Sequence, residues 1–233
     1  MEQPTMKSFS LGVILCAAGR SERMGGTDKI NYPLGGKPVY RWAADAFLAY
    51  AHTARLVVAV PPEKLAAFLA QGPDDPRIVY CAGGAARQET VEKAAVLLGQ
   101  TDLIAVHDGA RPFIGVELID AVCRAALQYG AAIPALPVTD TIHIAENGFA
   151  ASTPDRKTLF AAQTPQVFSR PAFEKMMQYE KESSCVLTDE CSAAVGCGIA
   201  CRIVPGSAEN LKITAAGDLP AAERIAARIQ CGQ

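Results

Sequence analysis

The 233-residue sequence lacks a strong excess of either charge and lacks any long apolar run. Charged residues make up 20% of the chain and the formal net charge is −2, so no general attraction to nucleic acid or to anionic membranes is expected. No apolar run approaches the roughly 18 residues that span a bilayer, and the opening MEQPTMKSFS lacks the layout of a secretory signal. We therefore expect a cytoplasmic protein that binds neither nucleic acid nor membrane.

Zinc-binding and disulfide motifs are also missing. The three histidines, His52, His107 and His143, have no ligand spacing, which disfavours a zinc site. None of the eight cysteines forms a C-x-x-C pair, and several lie in apolar runs such as LCAAG and IVYCAGG. Because half of the residues are hydrophobic, the chain can bury its own core, and free buried thiols are favoured over disulfides.

Short apolar runs alternate with segments of helical period along the first 136 residues. Such alternation predicts an α/β fold with a Rossmann-like, mostly parallel sheet and helices on both faces. We expect a single domain over residues 1–233. The strand-like runs are residues 11–16, 55–60, 77–81, 102–107 and 131–136.

The alternation breaks at residues 137–160. VTDTIHI alternates in polarity and ENG is a turn signal, which together indicate a β-hairpin. A hairpin of this length has no obvious core of its own. We therefore predict a protruding β-arm that packs on a partner.

Three polar loops, residues 17–37, 82–90 and 108–114, each follow a predicted strand. Right-handed crossovers bring such loops to one edge of a parallel sheet, where these folds bind ligands. The first loop carries Arg23 and Lys29 among glycines, an arrangement that suits an anion. It matches neither G-x-x-x-x-G-K-[ST] nor G-x-G-x-x-G. An ordinary glycine-rich turn with solvated basic residues explains it equally well.

The third loop contains the sharpest signal, VHDGARPF. Asp108 is placed to bind a polyol hydroxyl, or a metal ion carried by phosphates, and Arg111 to clamp a phosphate. A competing interpretation is an Asp–Arg pair that braces its own loop. His107, at the end of an apolar run, is more readily explained as a buried hydrogen-bonding residue than as a catalyst.

Near the end of the chain, NLKIT places Lys212 in a strand-like piece. With Arg23, Lys29 and Arg111 it makes a set of cations accompanied by one carboxylate, and no Ser-His-Asp set is evident. Many cations and few general bases suit phosphoryl transfer, in which catalysis is mainly positioning and charge neutralisation. The residues alone thus indicate a nucleotide- or phosphate-handling transferase without naming its substrates.

Motifs spread over roughly residues 10–230 resemble, in order, those of the 2-C-methyl-D-erythritol 4-phosphate cytidylyltransferase family of the non-mevalonate isoprenoid pathway. The motifs are AAGRSERMG, DKINYPLGGKPV, VHDGARPF, TDTI, DR at 155–156, TPQVF, TDE at 188–190 and NLKIT. The resemblance implies a nucleotide-diphospho-sugar transferase type of fold. It also implies transfer of CMP from CTP to methylerythritol phosphate, with Mg²⁺ held mainly through the CTP phosphates.

The resemblance also implies roles for individual residues. The catalytic residues would be Arg23, Lys29 and Lys212. CTP would be bound by Ala17, Ala18, Gly19, Gly83, Gly84, Thr90 and Gly109, with the Thr90 hydroxyl reading cytosine. Methylerythritol phosphate would be bound by Asp108, Arg111, Thr141, Arg156, Thr164 and Thr188. The resemblance also implies a homodimer whose projecting arm completes the neighbouring site, so Thr141 and Arg156 would act across the dimer interface.

Some positions depart from the family pattern. Asp28-Lys29-Ile30 stands where relatives often have P-K-Q, and Ala85 where an acidic residue can contact cytosine. Gly109 replaces an alanine found in some relatives, a change expected to be harmless. The alternatives are a ribitol-5-phosphate cytidylyltransferase, a sugar-1-phosphate or molybdopterin nucleotidyltransferase, and a catalytically silent nucleotide-binding module.

Overall fold

A computed structural model gives the fold and describes residues 8–19, 28–182 and 189–232. The strands are β1 (Leu11–Cys16), β2 (Pro33–Leu34), β3 (Lys37–Pro38), β4 (Thr53–Val60), β5 (Ile78–Ala82), β6 (Leu103–Asp108), β7 (Ala131–Pro137), β8 (Ile144–Glu146), β9 (Phe149–Ser152), β10 (Phe160–Ala162), β11 (Gln166–Ser169) and β12 (Arg202–Pro205). The helices are α1 (Val39–Ala49), α2 (Leu65–Gln71), α3 (Arg87–Ala95), α4 (Val116–Tyr129), α5 (Arg170–Glu182), α6 (Glu190–Gly196) and α7 (Leu219–Gln230).

The central sheet runs β10-β7-β11-β6-β1-β4-β5, with β12 paired to β7. The pairs β6–β1, β1–β4, β4–β5 and β12–β7 are parallel. Strands β10 and β11 run antiparallel to their neighbours. The predicted mostly parallel sheet is therefore confirmed.

Both faces of the sheet are covered, as the continuous apolar runs predict. Successive residues of a strand point to opposite faces, and Leu15 and Ile14 accordingly belong to different layers. Leu15 lies in a core cluster with Phe47 of α1, whereas Ile14 packs in a cluster with Phe173 and Met176 of α5. This doubly covered sheet fixes the strand ends from which the functional loops start.

One local prediction is wrong. Residues 211–214 of NLKIT are not a strand; they are held instead by a hydrogen bond from the Ile213 N–H to the Ala110 carbonyl at 2.8 Å. Asp218 stands at the N-cap position of α7, but its side chain makes no capping bond to that helix. Its carboxylate accepts from the N–H groups of Thr214 and Ala215 at 2.7 and 2.9 Å, so it fastens the segment just after Lys212.

The predicted hairpin is present. Strands β8 and β9 pair antiparallel around a turn in which Asn147 and Gly148 both have positive φ, 50° and 84°. Positive φ at both central residues is what a type I′ hairpin turn requires. Its apolar side chains are exposed, Phe149 to 79%. Dimerisation through this segment stays a prediction.

Two further findings concern the described residues only. No helix among them is long and apolar enough to cross a membrane. The cysteines among them are free thiols, at positions 16, 81, 123, 191, 197, 201 and 231.

Candidate active site

A cleft of about 240 Å³ opens at the carboxyl ends of β1, β5 and β6. The three predicted loops and the 210–214 segment all contribute to it, as expected for the strand-end edge of a parallel sheet. Its lining includes Lys29 from the first loop, Thr90 after the second, Asp108 from the third, and Lys212. The full lining is Cys16, Ala18, Gly19, Lys29, Ile30, Gly84, Ala85, Ala86, Arg87, Thr90, Asp108, Ala110 and Lys212.

Asp108 is the carboxylate of this cleft, and cations surround it. Lys212 Nζ lies 2.8 Å from Oδ2, Arg87 Nη2 lies 3.5 Å from Oδ1, and Arg111 Nε lies 3.6 Å from Oδ2. Burial raises the pKa of Asp108, but the charges of Lys212 and Arg87 outweigh burial and lower it to about 2. Asp108 is therefore ionised at neutral pH.

His107 is fully buried beneath the cleft and hydrogen-bonded on both ring nitrogens. Burial lowers its pKa to about 4, so the ring is neutral. Nε2 lies 3.0 Å from the Arg111 carbonyl, which only accepts, so Nε2 carries the proton. The Thr164 hydroxyl then donates to Nδ1 at 3.1 Å and accepts from the Asp108 N–H at 3.0 Å. His107 is thus a structural residue, as expected from the sequence.

Arg111 braces the floor of the site. Its Nη1 donates to the Asn210 carbonyl at 2.8 Å, and its Nη2 donates to the Ala162 carbonyl at 3.5 Å. Burial lowers the pKa of this guanidinium, and Asp108 opposes that shift. Arg111 pairs with Asp108, as the bracing interpretation expects, and its hydrogen bonds reach two segments outside its own loop. The binding of methylerythritol phosphate by Arg111 stays a prediction.

Lys212 is placed in the cleft by its neighbours. The adjacent Ile213 is fully buried in a cluster that contains Trp42 and Phe113, which fixes the backbone on one side of Lys212. Asn210, also fully buried, donates from Nδ2 to the Thr164 carbonyl at 2.8 Å on the other side. The Lys212 side chain itself is 39% exposed, so its ammonium faces both Asp108 and the open cleft.

Thr90 holds the second loop, residues 82–90, together through two hydrogen bonds of its hydroxyl. Its hydroxyl accepts from the Gly84 N–H at 2.9 Å and donates to the Ala86 carbonyl at 3.0 Å. The direct reading of cytosine by this hydroxyl stays a prediction, and it would require the hydroxyl to share or exchange these bonds. A Cβ on Gly83 would lie 2.3 Å from Cβ of Ala18, so only glycine lets these two loops touch.

A second cavity, of about 300 Å³, adjoins the cleft and shares Ala18, Gly84 and Ala85 with it. Gly19 lines the cleft, whereas Ala17 is fully buried behind it. A Cβ on Gly109 would lie 3.0 Å from the Cys16 carbonyl oxygen. Glycine therefore suits the close approach at position 109, and alanine there would require a small shift.

The altered setting of Lys29 has a structural explanation. The Asp28 carboxylate accepts from the Ile30 N–H at 3.2 Å and from Asn31 Nδ2 at 2.6 Å, and it pairs with Lys64. Burial raises the pKa of Asp28, but the bonds from Asn31 and Lys64 lower it overall. Asp28 thus fixes the turn that carries Lys29 to the cleft, a role that its sequence setting did not suggest.

Some predicted site residues are not in this cleft. Arg23 and Thr188 lie outside the described residues. Thr141 and Arg156 are exposed in the hairpin segment, and Arg156 Nη1 donates to the Thr139 carbonyl at 2.7 Å. Neither lines the cleft of its own chain.

Sequence reasoning also missed an ion pair. Arg87 is the first residue of α3, and its guanidinium lines the cleft and pairs with Glu190. One signal was available, because an arginine in the first turn of a helix opposes the helix dipole and needs a compensating carboxylate.

A basic cleft at the strand-end edge of a mostly parallel, doubly covered sheet defines an α/β protein built to handle phosphates. The comparison with known families specifies this class further. Residues 11–228 match the 2-C-methyl-D-erythritol 4-phosphate cytidylyltransferase family, and the chain belongs to it.

Individual relatives agree. The chain is 35% identical to the 2-C-methyl-D-erythritol 4-phosphate cytidylyltransferase of Bacillus mycoides, over 91% of this chain and 95% of the relative. It is 38% identical to the bifunctional enzyme IspD/IspF of a Chelativorans species and spans about half of that protein, 54%. The crystal structure of the cytidylyltransferase from Thermus thermophilus superposes with a TM-score of 0.79 at 31% identity, covering 94% of this chain and 99% of that one.

Proposed function

We propose that the protein transfers CMP from CTP to 2-C-methyl-D-erythritol 4-phosphate, releasing pyrophosphate, in non-mevalonate isoprenoid precursor synthesis. Membership of the family supports the reaction. The observation that carries it is the convergence of Lys29, Lys212 and the ionised Asp108 in one cleft. Such a cleft offers charge for phosphates and a fixed acceptor for a polyol hydroxyl.

In the proposed reaction a phosphate oxygen of the polyol substrate attacks the α-phosphorus of CTP. The bond from that phosphorus to the bridging oxygen breaks, and pyrophosphate leaves with the electron pair. Lys29 and Lys212, with Arg23, stabilise the negative charge on the five-coordinate phosphorus. Asp108 accepts from the hydroxyl groups of methylerythritol and so orients the attacking phosphate. Thr164, Arg111 and Thr188 would complete this pocket.

Mg²⁺ is the metal that the family resemblance implies, and it would neutralise charge on the triphosphate. The described residues hold no group of three or more His, Cys, Asp and Glu side chains that could bind a metal ion. Mg²⁺ keeps several waters and is commonly held through substrate phosphates. Mg²⁺ would be held mainly through the CTP phosphates, and Lys29 and Lys212 would bind the same phosphates.

The proposed working form is a cytoplasmic homodimer in which the arm of one chain reaches the cleft of the other. The exposure of Ile144 and Phe149 in the arm, at 51% and 79%, supports a partner surface. Thr141 and Arg156 would act on methylerythritol phosphate across that interface. Free thiols at the described cysteines suit a reducing compartment.

The direct test is pyrophosphate release by the purified protein with CTP, Mg²⁺ and methylerythritol phosphate. We expect release that depends on all three and drops sharply when UTP, ATP or GTP replaces CTP. The coupled product should be 4-diphosphocytidyl-2-C-methyl-D-erythritol by mass. No release with CTP, or equal release with every nucleotide, would rule the proposal out.

A further inference from the structure

A buried chain of charges connects the cleft to a helix behind it. Arg87, the first residue of α3, pairs through Nη1 with Oε1 of Glu190, the first residue of α6. Its Nη2 lies 3.5 Å from Asp108 Oδ1. The Glu190 side chain is only 3% exposed, so this carboxylate lies beneath the cleft. Among the residues that the structure describes, the cation paired with it is the Arg87 guanidinium, which also reaches Asp108.

The two oxygens of Asp108 face different cations. Oδ2 is held by Lys212 at 2.8 Å, and Oδ1 faces Arg87. Lys212 is 39% exposed and is free to turn toward a phosphate, whereas Arg87 is anchored from behind by Glu190. When Lys212 turns to a substrate phosphate, Arg87 at Oδ1 and Arg111, 3.6 Å from Oδ2, therefore remain beside the Asp108 carboxylate, and of these two Arg87 is the one that faces Oδ1.

Glu190 is itself firmly placed. The neighbouring Asp189 caps α6 by accepting from the Ser192 N–H at 2.9 Å, and it accepts from Gln166 Nε2 at 2.7 Å. Gln166 also accepts from the Cys191 N–H at 2.7 Å. Because Gln166 lies on β11, which pairs with β6, the start of α6 is fastened to the strand beside the one that ends in Asp108.

We propose that Glu190 is a positioning residue for the transfer reaction: it anchors Arg87, which holds Asp108 in the orientation that receives the polyol hydroxyls. This inference rests on the proposed function for the identity of the polyol phosphate. Burial raises the pKa of Glu190 and Arg87 opposes that shift, as expected for a buried carboxylate that depends on one cation. Glu190 does not line the cleft, so its effect passes through Arg87.

The first experiment measures the steady-state kinetics of the Glu190→Gln and Arg87→Gln variants. We expect Glu190→Gln to raise KM for methylerythritol phosphate roughly tenfold or more, because small misplacements of a binding group are costly, and to leave KM for CTP within about twofold. Arg87→Gln should raise the same KM. The matched control is Glu174→Gln, which removes a 63% exposed carboxylate from an ion pair with Arg170 and should change neither KM.

An unchanged KM for the polyol phosphate in Glu190→Gln would overturn the proposal. So would an equal rise of both KM values, because that result assigns Glu190 a merely structural role. If the wild-type protein has no activity with methylerythritol phosphate, the proposed function fails by itself.

The second experiment measures stability rather than turnover and tests the ion pair directly. Urea unfolding of Glu190→Gln, Arg87→Gln and the double variant forms a double-mutant cycle. We expect the double variant to lose less stability than the sum of the single variants, because each single variant leaves one buried charge unpaired. Additive losses would show that the two side chains are not coupled and would overturn the proposal.

Discussion

The floor of the cleft, by which we mean His107, Asp108, Thr164 and Asn210, differs from the hairpin arm in the burial and bonding of its side chains. On the floor, His107, Asp108, Thr164 and Asn210 are each less than 10% exposed, and each is hydrogen-bonded to another part of the chain. Along the arm, apolar side chains such as Phe149 remain exposed to 79%. The floor pairs most of its polar groups within the chain, although Asn210 Oδ1 and Arg111 Nε are buried without a hydrogen-bond partner, and the arm leaves apolar side chains exposed.

The difference separates a region that is packed within one chain from a region whose apolar side chains stay exposed in that chain. A lone two-stranded hairpin is marginally stable in water, and exposed apolar area forgoes about 25 cal/mol per Å². The floor, by contrast, has buried polar groups that find partners across 46 to 57 positions of sequence. We infer that the floor is preorganised, whereas the arm awaits a partner surface.

The largest effect on activity should come from removing the two lysines that line the cleft. Lys29→Ala and Lys212→Ala should each lower kcat by roughly a hundredfold or more, because loss of one transition-state donor costs that much. The thermal unfolding midpoint should move little, since both side chains reach open solvent at the cleft. Lys175→Ala, at an exposed position of α5, is the control and should keep wild-type turnover. Wild-type turnover in either cleft variant would refute the proposed mechanism.

Deleting the arm should lower activity without unfolding the body of the protein. Deletion of residues 138–158 should give a monomer whose kcat/KM falls by about tenfold or more, since the positioning groups from the partner are lost. The body should still unfold cooperatively near the wild-type temperature. Light scattering and steady-state assays measure both properties. An active monomer would show that one chain holds a complete site.

Acid should weaken the floor through His107. Its pKa falls from an ordinary 6.5 to about 4 on folding, so between these values the unfolded chain binds more protons than the folded chain. Stability should therefore fall as pH drops from about 6.5 to 4, by about 3 kcal/mol in total. Urea unfolding across this range should show the slope in wild type and in His143→Gln, and a reduced slope in His107→Gln. An equal slope in all three proteins would contradict this assignment.

A smaller effect should come from a matched pair of threonines. Thr164 and Thr153 each contact a histidine through their hydroxyl oxygen, at 3.1 Å to His107 and 2.9 Å to His143. Thr164→Val should cost about 1–3 kcal/mol of unfolding free energy, because it leaves the Asp108 N–H and His107 Nδ1 buried without a partner. Thr153→Val, in the exposed arm, should cost less than about 0.5 kcal/mol. Equal losses of unfolding free energy in the two variants would contradict the proposed difference between the floor and the arm.

Much of the fold could be predicted from the sequence because parallel strands buried on both faces read as continuous apolar runs. Residues 11–16 coincide with β1, and 55–60 and 102–107 fall within one or two residues of β4 and β6. Connection rules then sufficed to bring the three loops to one cleft. The prediction of a strand in NLKIT was wrong because the apolar Ile213 packs against Trp42 and Phe113 rather than in the sheet.

The pairing of buried polar groups could not be predicted in the same way. Arg87 and Glu190 are separated by 103 positions, and no periodicity relates two charges that meet only after the sheet is assembled. The Thr90 hydroxyl is similar, since its bonds to Gly84 and Ala86 depend on the path of the loop. Residue types identified the chemistry of the cleft, and tertiary contacts decided which side chains hold it in place.

The most direct measurement is a side-by-side assay of kcat/KM for methylerythritol phosphate and ribitol 5-phosphate, with CTP and Mg²⁺ under the same conditions. Both substrates present a phosphate and hydroxyl groups, so the comparison isolates the polyol pocket around Asp108. We expect kcat/KM at least about tenfold higher for methylerythritol phosphate, a difference of about 1.4 kcal/mol in transition-state binding. Equal or higher kcat/KM for ribitol 5-phosphate, or no turnover of either substrate, would contradict the proposed function.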